Sequence, residues 1–115
     1  MRSKVRIELG KKFQKEFKRL LKKYPSLKSE LVTLRDTIQA DPNTGTPLGN
    51  NTYKIRLAIK SKGKGKSGGA RVISHVETEI VGLIENNTVT LLTIYDKSEI
   101  SNISKEDIQK LFEGD

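Results

Sequence analysis

The sequence predicts an α+β fold: an N-terminal helical hairpin packed on a small antiparallel β-sheet, followed by a short C-terminal helix. Three observations carry that expectation. Between residues 11 and 40 the apolar residues recur at helical spacing. From residue 53 to 95 they alternate or bunch in β-branched runs, punctuated by glycine and asparagine. After residue 103 a helical pattern returns behind a serine. A chain of 115 residues makes one domain, spanning 1–115, with one modest core.

Taken in order, Val5, Ile7 and Leu9 alternate with Lys4, Arg6 and Glu8, so the chain opens on a short half-buried strand. Phe13, Phe17, Leu20, Leu21 and Tyr24 form one stripe on a helix over about 11–24, with lysines on its other face. Pro25 forces Tyr24 out of helical geometry and ends it. Leu27, Leu31, Leu34 and Ile38 repeat the spacing over about 27–40, and a connection this short predicts an antiparallel pair. Residues 41–49, DPNTGTPLG, read as a loop. Tyr53, Ile55, Leu57 and Ile59 then alternate with Lys54, Arg56, Ala58 and Lys60, a strand with one oily and one basic face.

Beyond a glycine-rich connection, residues 70–76 read as a second strand, extending through Ile80 towards Ile84 with Gly82 as a bulge or break. Glu85-Asn86-Asn87-Thr88 reads as a turn. The most apolar run, 89–95, is expected centrally in the sheet. Ser104 suits an N-cap, with Ile103 and Ile108 placed as a hydrophobic staple, and Ile108, Leu111 and Phe112 give the closing helix an apolar side.

No apolar run approaches the length of a membrane span, and residues 1–12 lack the apolar core of a signal peptide. Together with the absence of cysteine, this fits a soluble protein of the reducing cytoplasm, with neither disulfides nor a thiol nucleophile. One histidine rules out a His-rich metal site, and nothing in the pattern asks for a metal or another cofactor.

Charge is segregated. Residues 1–41 hold twelve Lys and Arg against five acids. Residues 42–76 hold seven (Lys54, Arg56, Lys60, Lys62, Lys64, Lys66 and Arg71) and no acid, and residues 77–115 hold three against nine. A one-signed field of this kind attracts polyanions.

The connection at residues 60–72, KSKGKGKSGGARV, raises three possibilities: nucleotide site, nucleic-acid contact or plain connector. Gly63, Gly65 and Gly68 match the dinucleotide spacing, but that motif needs a helix behind it and residues 70–76 are strand-like. Gly65-Lys66-Ser67 mimics the end of a P-loop, yet the first glycine of that motif is replaced by Lys60. The nucleotide reading fails on context. What survives is a lysine-studded hairpin connection suited to a polynucleotide backbone, with Lys60, Lys62, Lys64 and Lys66 as RNA-binding residues. A mobile, idle connector remains the alternative.

The run Tyr53-Lys54-Ile55-Arg56, the loop 62–69 and Ala70-Arg71-Val72-Ile73 resembles the RelE/HigB toxins of bacterial type II toxin–antitoxin systems, within the RelE/ParE superfamily. Residues 91–99, LLTIYDKSE, resemble the C-terminal block of the same family. The likeness is greatest to the HigB branch with a KGKGK-type loop, and it extends from the helical pair to the final helix. It implies a RelE-like toxin fold and a ribosome-dependent endoribonuclease, an mRNA interferase. The partners implied are the ribosome, mRNA and a cognate antitoxin, with no membrane and no small-molecule cofactor. It also implies metal-independent attack of a ribose 2′-OH on the adjacent phosphate. By position, the catalytic residues implied are Lys54, Arg56, Arg71, Lys97 and Tyr95. Where RelE-type members carry an arginine after the last strand and a tyrosine near the final helix, this chain carries Ser98 and Ser104.

Such transesterification needs a base for the 2′-OH, cations around the phosphorane and a proton donor for the 5′-oxygen. Lys54, expected beside Arg56 and opposite Arg71, is the candidate base, because neighbouring cations favour a neutral amine. Arg56 and Arg71 suit a phosphate clamp. Lys97, Lys66 and Tyr95 are unranked candidates for the donor. His75 shares strand parity with Arg71 and reads first as structural. Rival readings are a ParE-like gyrase inhibitor, a non-catalytic RNA-binding module and a degenerate toxin.

Overall fold

The computed structural model describes residues 2–62 and 68–114. The elements run β1 (Arg2–Leu9), α1 (Lys11–Lys23), α2 (Leu27–Ala40), β2 (Thr46–Gly49), β3 (Thr52–Leu57), a 3₁₀ turn (Lys60–Lys62), β4 (Ala70–Val81), β5 (Ile84–Asp96) and α3 (Lys105–Gly114). The fold is α+β, with three helices and a five-stranded mixed sheet in the order β1-β5-β4-β3-β2.

Two features correct the expected architecture. The helical pair stands second, behind the strand that opens the chain, and the sheet is mixed, not antiparallel, because that strand β1 lies parallel to β5, Arg2 opposite Ile84 through Leu9 opposite Leu91. A parallel partner lies far along the chain and leaves no local turn signal, so sequence pattern alone does not reveal it. The run 89–95 lies within β5, an interior strand, whereas β4 holds the middle of the sheet.

The β4–β5 turn is also displaced from its expected place. Val81 pairs with Ile84 across Gly82-Leu83, and Gly82 takes φ +63°, so the glycine makes the turn itself. The polar run 85–88 sits inside β5 because Asn87 is satisfied across three strands. Its amide donates to Ser3 Oγ at 3.1 Å and to the Lys4 carbonyl at 3.3 Å, and its oxygen accepts from Thr78 Oγ1 at 2.7 Å. A fully bonded asparagine is tolerated where an unpaired one is costly. The loop expected at 41–49 contains β2, which returns through Asn50 and Asn51, both at positive φ, into β3. Pro47 lies on the edge strand, where its missing N–H costs nothing.

The helices start and stop where the pattern placed them. Tyr24 caps α1, its N–H bonded to the Leu20 carbonyl at 2.8 Å. Ser104 caps α3, its Oγ accepting from the Asp107 N–H at 3.0 Å. Phe13 and Leu20 of α1 and Leu27 and Ile38 of α2 are fully buried against the face of the sheet carrying Ile55, Val72, Val89 and Ile94. The opposite face carries a smaller cluster: Ile73, Leu92 and Tyr95 under Leu111 of α3. The sheet is thus sandwiched unequally, and its thinly covered face holds the charged residues of β3.

The free edge of β1 is blunted. Gln39 and Gln14 side chains donate to the Val5 and Leu9 carbonyls at 3.2 and 2.9 Å, and Lys4, Arg6 and Glu8 are exposed along it.

Candidate phosphodiester site on the α3 face of the sheet

Alternation along β3 sends Tyr53, Ile55 and Leu57 to the core and leaves Lys54 and Arg56 on the α3 face. On β4 the same alternation puts Arg71, Ile73 and His75 on that face. On β5 a bulge opposite Ile73 and Ser74 inserts one extra residue, and both Leu92 and Tyr95 join the α3-side cluster. Arg56 lies directly opposite Arg71, and Arg71 directly opposite Tyr95, so three adjacent strands carry a cross-strand row Arg56–Arg71–Tyr95. Lys54, two residues from Arg56, extends the patch.

The register corrects one expectation: Lys54 pairs with Ile73, and the residue opposite Arg71 is Arg56. Like charges on directly opposed residues of an antiparallel pair are unfavourable, and an anion spanning them removes the penalty.

The row is graded in exposure. Arg56 is exposed, Lys54 is half-buried, and Arg71 and Tyr95 are only 5% and 4% exposed. Arg71 is thus enclosed, and only Arg56 and Lys54 reach the surface of the patch. Its guanidinium Nη1 donates to the Ala70 carbonyl at 3.1 Å. Lys54 Nζ donates to Asn102 Oδ1 at 3.3 Å, which ties the patch to the segment ahead of α3. The Tyr95 hydroxyl is buried without a hydrogen-bond partner among the described residues. Burial pushes its pKa above 10.0, opposed by the positive charge of Arg71, so the phenol stays protonated through the physiological range.

The remaining sequence candidates divide. Lys97 continues the ladder beyond β5, its N–H donating to the Gly69 carbonyl at 3.0 Å, while its Nζ donates to the Ser101 carbonyl. Lys60 is exposed on the 3₁₀ turn. Lys64 and Lys66 lie outside the described residues, as does the Lys62 side chain. His75 packs edge-on against Phe112 with ring centroids 5.0 Å apart, the structural role read from its pattern. Ser98 turns the chain, its N–H and Oγ donating to Asp96 Oδ1 at 2.9 and 2.7 Å.

Three residues that shape the site were missed in the sequence. Glu30, 5% exposed, accepts from the Lys60 N–H and from Ser26 Oγ, and so anchors the start of the basic connection to α2. Its signal was an acid within the apolar stripe of that helix. Asp96, fully buried, accepts from the Tyr24 hydroxyl at 2.7 Å and holds the turn after Tyr95. Asn102 had no sequence signal beyond being polar. The glycines before β4 are also more than flexible spacers: a Cβ on Gly69 would collide with the Leu57 carbonyl oxygen.

On the surface of α1, Arg19 forms a bidentate pair with Glu99 at 2.8 and 3.1 Å and a further bond to Glu16 at 3.0 Å. The bond from Arg19 holds the Glu99 carboxyl below its ordinary value, and the bonds to Glu99 and Glu16 raise the guanidinium further. The pair fastens the segment after β5 to α1.

No protein-family model matches the chain, and no solved structure matches it. Among the described residues, no helix is long and apolar enough to cross a membrane.

Proposed function

We propose that this protein is a RelE/HigB-like toxin of a type II toxin–antitoxin system, acting in the cytoplasm as a ribosome-dependent mRNA endonuclease. The observation that carries the reading is the row Arg56–Arg71–Tyr95: two opposed cations beside a buried hydroxyl that has no partner among the described residues. A phosphodiester fills that arrangement, offering oxygens to the guanidinium forks and an acceptor to the phenol.

The roles follow from which groups can move a proton. Arginine stays charged and serves only as a clamp. Lys54 is the amine beside the row, and it takes the proton from the ribose 2′-OH as that oxygen attacks phosphorus. The P–O5′ bond breaks, and the leaving oxygen takes a proton from Tyr95, whose raised pKa suits a donor rather than a base. Products are a 2′,3′-cyclic phosphate and a 5′-hydroxyl. Lys97, committed to Ser101, is the weaker candidate for donor. Because Leu111 packs over Tyr95, substrate reaches the inner half of the row only when that side chain yields.

The burial of Arg71 and Tyr95 also favours a second reading, a non-catalytic RNA binder that uses Arg56 and Lys54 alone. Primer extension on an mRNA after brief induction separates the two. Discrete cuts with cyclic phosphate ends support the nuclease, and ribosome association without cuts supports the binder. DNA damage without mRNA cleavage would instead point to a gyrase inhibitor.

A further inference from the structure

The β4–β5 hairpin outruns its neighbour β3. That strand begins at Thr52, opposite His75, behind the turn at Asn50 and Asn51. The last bond across is from the Val76 N–H to the Asn51 carbonyl at 2.9 Å. β4 continues to Val81, so the stretch from Glu77 to Val81 pairs with β5 alone. In an antiparallel ladder, residues two apart turn their backbone groups to the same side. Thr78 and Ile80 therefore present N–H and C=O to the side that Val76 presents to Asn51, and no described residue takes up these groups. The outermost strands of the sheet are blunted, β1 by the caps from Gln14 and Gln39 and β2 by Pro47. This stretch of β4 has neither device.

Its side chains carry one sign of charge. Alternation from Val76 and His75 puts Glu77, Glu79 and Val81 on the α3 face of the sheet and Thr78 and Ile80 on the other. His75 Nδ1 lies 3.9 Å from Glu77 Oε1, whereas neither Glu79 nor Glu85, opposite Ile80, has an ion-pair partner among the described residues. The cations Arg2 and Lys4 stand on β1, on the far side of β5 from this edge. Ile80 and Val81 are more than half exposed, and Leu83 at the turn is 81% exposed. An open ladder edge, an acidic row and bare apolar side chains thus coincide at one end of the hairpin.

We propose that the edge of β4 between Glu77 and Val81 takes an extended segment of a partner polypeptide whose residues alternate basic and apolar. The pleat sets the alternation: side chains across from Glu77 and Glu79 meet carboxylates, and those across from Thr78 and Ile80 meet the exposed apolar face. Opposite charges across a strand pair are favourable. A second copy fits poorly. Paired about Glu79 it sets Glu79 against Glu79, and paired about Thr78 it sets Glu77 against Glu79, both unfavourable. Paired about Ile80 it meets the turn at Gly82 after one further residue. The same carboxylates repel an anionic lipid surface. Glu79 lies eight residues beyond Arg71 along β4, about 27 Å at the rise of an antiparallel strand. A segment seated here leaves the row Arg56–Arg71–Tyr95 uncovered.

The test titrates the full-length ¹⁵N-labelled protein with an acetylated seven-residue peptide of alternating Lys and Val. The expected result is saturable shifts centred on Thr78, Glu79 and Ile80, with exchange of the Thr78 and Ile80 amides slowed at least about tenfold by the new ladder bonds. A Glu/Val peptide of the same length binds at least about tenfold more weakly. Ile80→Pro removes an outward N–H without touching the bonds to β5, and it weakens the Lys/Val peptide at least about tenfold while β5 amides stay protected. Glu79→Lys, at an exposed position, narrows or reverses the preference between the two peptides. No saturable shifts up to millimolar peptide, shifts centred elsewhere, or equal binding of both peptides by the parent protein overturns the inference. Protection of the Thr78 and Ile80 amides that grows with protein concentration without peptide would assign the edge to a second copy and overturns it too. So does broadening of Leu83 by phosphatidylcholine vesicles in place of peptide binding, which would assign the tip to a lipid surface. None of these readouts involves RNA, so the inference and the nuclease reading fail separately.

Discussion

On one face of the sheet α1 and α2 bury Phe13, Leu20, Leu27 and Ile38 completely, whereas on the other a single ten-residue helix covers Ile73, Leu92 and Tyr95 with Leu111. The first face holds the larger apolar cluster and stabilises the domain. The second mixes a small apolar cluster with Lys54, Arg56 and Arg71, the last directly opposite Tyr95. On the proposed function, stability and chemistry fall on opposite sides of the same strands, and the period of two along β3 and β4 is what separates them. Regions chosen for function tend to break the packing rules that the rest of a domain obeys.

Substitutions on the two faces should therefore differ in size and kind. Phe13→Ala removes a fully buried ring between helix and sheet and is expected to cost about 3–5 kcal/mol in chemical denaturation. Leu111→Ala on the opposite face is expected to cost about 2 kcal/mol, because a light cover can settle into the space left. Equal losses at the two sites would break the contrast.

Arg71→Ala sharpens it. This buried guanidinium packs as well as carries charge, and its loss is expected to lower stability by about 1–3 kcal/mol. Exposed Arg56→Ala should stay within about 0.5 kcal/mol of the parent in the same urea titration. Arg56 is thus the cleaner site for testing activity.

Tyr95→Phe removes a polar group with no partner among the described residues, so melting should show stability unchanged or raised by up to about 1 kcal/mol, while cleavage falls. A clear loss of stability would mean that the hydroxyl is satisfied in solution.

The smallest effect concerns Glu99. Its carboxyl titrates below the ordinary 4.5 in the folded protein, so its contribution is present above that value and is lost as pH falls through the folded pKa. The pair is exposed, so Glu99→Gln should cost at most about 0.5 kcal/mol at pH 7. The difference should vanish by pH 3, and its persistence there would mean that the ion pair is not its source.

Local pattern revealed both early helices, the capped last helix and the strand cores, because burial period and punctuation are written within a few residues of each element. It did not reveal that Arg2–Leu9 returns to lie parallel to residues 84–91, since nothing near either segment encodes a partner some eighty residues away. Asn86 and Asn87 read as a turn because the bonds that make Asn87 tolerable come from two other strands. At the site, the shared face of Lys54 and Arg56 was legible from alternation, whereas Arg71 joins them only through the antiparallel pairing of β3 and β4. The pairing of Arg56 with Arg71, the burial of Arg71 and the help from Asn102 depend on register and on where α3 docks, which composition and spacing do not fix.

The most direct test of the cationic row is cleavage of mRNA on programmed ribosomes in a purified translation system, with 3′ ends mapped for wild type, Arg56→Ala and, as a surface control on α2, Arg35→Ala. Cuts ending in 2′,3′-cyclic phosphate are expected with wild type and Arg35→Ala, and a loss of about 10²-fold or more with Arg56→Ala. Cleavage by Arg56→Ala at the wild-type rate, or no cleavage by any of the three, would contradict the account.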